Sequence, residues 1–88
     1  MTFIAIKVPV IESEAGWGSK IDDYMVCLSV EDAEKFIKEF NSENNKPTTP
    51  DWYMFAEDEK NPIDLNENQY LQLKEKNRMW WSSLKQIS

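Results

Sequence analysis

The sequence predicts an α+β domain, a three-stranded mixed sheet packed by two helices in the order β-β-α-β-α. Three observations predict it. Apolar residues alternate with period two along residues 2–11 and 20–28. They recur at helical spacing over 30–40 and 70–87. Polar turns rich in Asn, Pro and acidic residues separate these stretches.

Each element follows from its own residues. In the first strand Ile4, Ile6, Val8 and Val10 share a face, with Phe3, Ala5 and Lys7 opposite. Pro9 has no N–H to give a ladder, which predicts that the strand is at an edge there or is ending. Residues 12–19 form a loop around Gly16 and Gly18, short enough to make an antiparallel hairpin with a second strand over 20–28. There Tyr24, Val26 and Leu28 share one face, and Asp23, Met25 and Cys27 the other. Ser29 is placed as a helix N-cap, with Asp32 at the capping-box position. Val30, Ala33, Phe36, Ile37 and Phe40 form the buried stripe, and the helix is expected to stop near Asn41 ahead of an Asn-rich loop and Pro47.

Residues 51–56 make a third strand with apolar residues on both faces, which predicts a central or covered position. A parallel partnership of the second and third strands through the first helix would make a right-handed crossover. Residues 57–62 form a polar turn. Asn66 and Gln69 then make a capping box, and Leu65 and Tyr70 a hydrophobic staple. Tyr70, Leu73, Trp80, Trp81, Leu84 and Ile87 continue as one helical stripe, broken only by Asn77. Both helices are expected on one face of the sheet, leaving part of the other to a partner.

Composition limits the function. Eighty-eight residues, 41% of them hydrophobic, make a single domain over 1–88 with one core. The chain has no histidine, one cysteine, two glycines and four tryptophans. General acid–base catalysis most often uses histidine, and phosphate-cradling loops need more glycines. Zinc needs Cys and His ligands, and the acidic turn at 57–64 lacks the spacing and the glycine of a calcium loop. The expectation is a non-enzymatic protein without metal or cofactor. Cys27, in an apolar run, is a small buried hydrophobe. No apolar run reaches the roughly 18 residues that span a bilayer. The opening residues lack the features of a signal peptide. A cytoplasmic protein with no membrane contact is therefore expected.

The net charge of −6 is uneven, −8 over residues 1–65 and +2 over 66–88. An acidic body disfavours direct nucleic-acid binding, which needs a concentrated positive footprint. It suits a basic protein partner. Asp22, Asp23, Glu57, Asp58 and Glu59 are the candidate steering carboxylates, and Trp17, flanked by glycines, is a candidate anchor. Arg78 and Trp81, residue types favoured at interfaces, supply a second contact, with homodimerisation as a competing use of that face.

Residues 29–41, Ser-Val-Glu-Asp-Ala-Glu-Lys-Phe-Ile-Lys-Glu-Phe-Asn, followed by Pro50-Asp51-Trp52-Tyr53-Met54-Phe55-Ala56, resemble a pattern in small accessory proteins of tailed bacteriophages. The resemblance covers about residues 20–57 and leaves the second helix outside. It implies an early phage product that inhibits or redirects a host protein, a defence or nucleic-acid-processing factor, by steric occlusion in the host cytosol. The alternatives are a small-ligand or nucleotide-binding sponge, an acidic nucleic-acid mimic, and a phage structural or assembly factor.

Overall fold

The computed structural model describes residues 2–14, 18–44 and 52–88. The elements are β1 (Phe3–Glu14), β2 (Gly18–Cys27), α1 (Val30–Asn44), β3 (Trp52–Ala56), β4 (Asn61–Leu65), α2 (Glu67–Lys76), β5 (Arg78–Trp80) and α3 (Trp81–Leu84). The α+β class holds. The sheet, however, has five strands rather than three, in the order β3-β1-β2-β5 with β4 also on β1. Every pairing is antiparallel, so the mixed sheet and its parallel crossover are corrected. β2 and β3 do run in the same direction, but β1 lies between them and no parallel ladder forms.

β1 is the centre. One edge pairs with β2 from Ile6↔Cys27 to Glu14↔Gly18. The other is shared by β4, from Phe3↔Leu65 to Lys7↔Asn61, and β3, from Val10↔Ala56 to Glu14↔Trp52. The break between these two lanes falls beside Pro9. The N–H and C=O of one strand residue point to the same edge. The Pro9 carbonyl accepts from the Glu57 N–H at 3.0 Å, so its missing donor faces that edge as well. Pro9 therefore interrupts its neighbour and not its own strand, and β1 is neither an edge strand nor ending there, contrary to the expectation.

The alternation of β1 and β2 divides the interior into two cores. Ile6, Val8, Val10, Met25 and Cys27 are buried under Ala33 and Phe36 of α1. Ala5 and Val26 point the other way, onto Leu65, Leu73 and Leu84. The helices thus lie on opposite faces, correcting the shared face expected. β3 is not central: it lies along the outer lane, and Met54 packs against the α1 core.

Local signals explain the helix ends. Ser29 Oγ accepts from the Asp32 N–H at 3.1 Å. Asn66 and Gln69 form the full capping box, at 2.8 and 2.9 Å, and the Gln69 amide reaches on to the Leu84 carbonyl at 3.2 Å. Phe3 stacks on Tyr70 with centroids 4.5 Å apart, holding α2 to β1. The long second helix expected over 66–87 is instead α2, β5 and α3. The break is Asn77, at φ 71°, whose N–H still bonds the Leu73 carbonyl at 2.8 Å. Asparagine adopts a positive φ more readily than most side chains.

α1 runs past Asn41 because Asn41 serves another element. Its side-chain amide donates to the Ala56 carbonyl at 3.0 Å, and its carbonyl accepts from the Ala56 N–H at 2.7 Å. That pair satisfies the outward N–H and C=O of Ala56, at the end of β3, and blocks another strand from pairing there. Gly18 opens β2 at φ 85°. A side chain there would point into open space, with no atom within 4 Å of its Cβ, so the glycine answers to backbone conformation and not to crowding.

Two stability effects follow. Asn41→Ala leaves the N–H and C=O of the buried Ala56 without their partner and lowers unfolding free energy by about 1–3 kcal/mol in urea titrations. Gly18→Ala costs about 1–2 kcal/mol from backbone conformation alone, and Gly18→Asn costs less, measured the same way.

Candidate functional site

The residues singled out by composition and charge separate into surface groups and internal ties. Trp17 lies outside the described residues. Asp22 is exposed on β2. The register steps there from Val10↔Asp23 to Ile11↔Ile21, so Asp22 is the extra residue of a bulge. A bulge re-aims a side chain, so strict alternation of Asp22 and Asp23 between faces no longer applies. Asp23 is half-buried and holds the start of α3: its carboxylate accepts from the Ser82 hydroxyl at 2.6 Å and the Ser82 N–H at 3.2 Å.

Glu57, half-buried, and the exposed Asp58 and Glu59 occupy the β3–β4 turn on the opposite side of β1 from Asp22. Asp58 pairs with Lys60 at 2.7 Å, and Lys60 also lies 3.9 Å from Glu34. These three residues, with Ile37 and Lys38, line an open cleft of about 290 Å³. Its size is at the lower limit for small-molecule pockets, and its Lys60 cation is already matched by two carboxylates.

Arg78 projects from β5 onto α1. Its Nε and Nη2 donate to the two oxygens of Asp32 at 2.9 and 2.8 Å, and Nη1 donates to Glu39 at 3.1 Å. The guanidinium carbon lies 5.7 Å from the Phe36 ring centroid. Such a bidentate, stacked arrangement is specific to arginine. The hydrogen bonds from Arg78 hold the Asp32 carboxyl below the usual carboxylate range. Trp81, half-buried, packs into the second core, with the Lys7 ammonium 5.9 Å from its ring and 4.2 Å from that of Tyr24. Trp80 faces the other way and meets Phe36 and Phe40 edge-on at 6.3 and 6.5 Å.

Asp32, Glu39, Lys60 and Lys7 were not singled out by sequence. Asp32 looked like a capping residue, and its partner is 46 positions away. Cys27 is fully buried, and its thiol is pushed up to about 12, foremost by burial and next by the Asp32 carboxylate. It is a protonated core side chain at neutral pH and not a nucleophile. Among the described residues no group of three His, Cys, Asp or Glu is placed to hold a metal ion, and no helix is long and apolar enough to cross a membrane.

The Arg78–Asp32 pair gives a pH signature. Because the folded pKa of Asp32 is depressed, its contribution to stability is complete above the ordinary aspartate value near 3.9 and is lost as pH falls through the folded value. Arg78→Met lowers stability by about 1–2 kcal/mol at pH 7. In urea titrations at pH 7 and pH 2, the Asp32→Asn variant is the less stable at pH 7, and its deficit against the wild type narrows at pH 2. Set beside protein-family models, curated proteins and solved structures, the chain has no match.

Proposed function

We propose that this chain is a non-enzymatic protein-binding domain that presents carboxylates to a basic surface of a host protein and acts by steric occlusion. The reading rests on how the charges are arranged. Arg78 faces inward to Asp32 and Glu39, and Lys60 is matched by Asp58 and Glu34. Asp22 and Glu59 stand exposed on opposite sides of β1 in a protein of net charge −6. A net negative charge with outward carboxylates favours encounter with a positive partner. The resemblance to accessory proteins of tailed bacteriophages supports an inhibitor or modulator working in the host cytosol. Arg78 and Trp81 act in this reading as ties that shape the surface. The ligand-sponge alternative has less support, because the cleft beside Lys60 is open and internally neutralised.

Capture from bacterial lysate tests the proposal, with Asp22→Lys/Glu59→Lys as the control. One host protein should be retained by the wild type and lost by the control. Its association rate should fall about tenfold or more between low and high salt. Capture that is indifferent to both the charge reversal and the salt contradicts it.

A further inference from the structure

The C-terminal segment carries two structural instructions. Its apolar residues Tyr70, Leu73, Trp80, Trp81, Leu84 and Ile87 follow the period of one uninterrupted helix. The fold nevertheless breaks that helix at Asn77 and lays Arg78–Trp80 out as a strand only three residues long. α2 ends on its last i→i−4 bond, from the Asn77 N–H to the Leu73 carbonyl at 2.8 Å, and the chain leaves the helix at that residue. Asn77 alone among the described non-glycine residues has a positive φ.

What holds the strand form is tertiary. β5 pairs with β2 over Met25↔Trp80, Val26↔Met79 and Cys27↔Arg78. Arg78 bonds Asp32 and Glu39, Trp80 packs on Phe36 and Phe40, and Asp23 holds Ser82. Local periodicity favours one conformation and these contacts favour another, which is the arrangement of a bistable element.

We propose that Asn77–Trp80 is a conformational strap with a second state in which α2 continues without interruption into α3. In that state Arg78 leaves Asp32, Trp80 leaves the α1 core, and β2 has an open edge at Met25–Cys27. The strap thereby controls access to the outer edge of β2. The helical state is the minor one in the free protein, populated at about 0.1–10%.

The test is NMR on the full chain with two substitutions at one position. Alanine is a strong helix former and disfavours positive φ, whereas glycine accepts it. Asn77→Ala should give helical Cα shifts at 77–80 and lose the β2–β5 cross-strand contacts. Asn77→Gly should keep the extended shifts and those contacts. Relaxation dispersion on the wild type should show 77–84 exchanging with a minor state whose shifts at Met79 and Trp80 are helical. This measurement decides the matter if Asn77→Ala does not fold. Extended shifts in Asn77→Ala with the cross-strand contacts intact overturn the proposal. So does a wild type with no exchange at 77–84, or with a minor state of coil shifts.

Discussion

Along the middle of β1, from Ile6 to Ile11, both backbone edges are paired and apolar side chains are buried on both faces, and the rest of the molecule is arranged to meet that constraint. A strand in this position needs apolar side chains in both directions and a donor and acceptor row matched on each side. β2 satisfies one row over most of its length. No single strand satisfies the other, because Pro9 has no N–H to offer there. The chain supplies two short strands, β3 and β4, with the acidic turn at the gap. The position of Glu57, Asp58 and Glu59 on the surface is thus a consequence of one proline in the centre of the sheet.

The two faces of β1 also explain why this small chain carries two helical layers. Alternate residues send Ile6, Val8 and Val10 to α1 and Ala5 to α2 and α3, so each layer builds a core of its own. Arg78 reaches α1 from the strand that follows α2, and Gln69 ties α2 to Leu84. These polar ties determine the surface. Arg78 and Lys60 are turned to partners within the chain, and among the described residues exposed carboxylates outnumber exposed lysines. That balance is the physical basis for reading the domain as a binder of basic protein surface.

Sequence legibility followed the range of the interaction. The Ser29 cap, the Asn66–Gln69 box and the hairpin were all legible, because each is set by residues a few positions apart. β4 was missed because Pro62 and only two inward apolar residues, Ile63 and Leu65, make a weak strand signal. β5 was missed because the helical stripe around it is continuous, although Asn77 marked the break. The roles of Asn41 and Arg78 depend on Ala56 and Asp32, partners brought near only by the finished sheet. Asp23 and Trp81 were placed as contact residues by type; in the fold Asp23 bonds Ser82 of α3 and Trp81 is half-buried against the second core.

Native-state hydrogen exchange tests the central position of β1 most directly. The amides of Ala5, Ile6, Val8 and Val10 should exchange only through global unfolding, while α3 and β5 open at lower free energy. Exchange of those β1 amides through a partial opening, with α2 and α3 still protected, would contradict it.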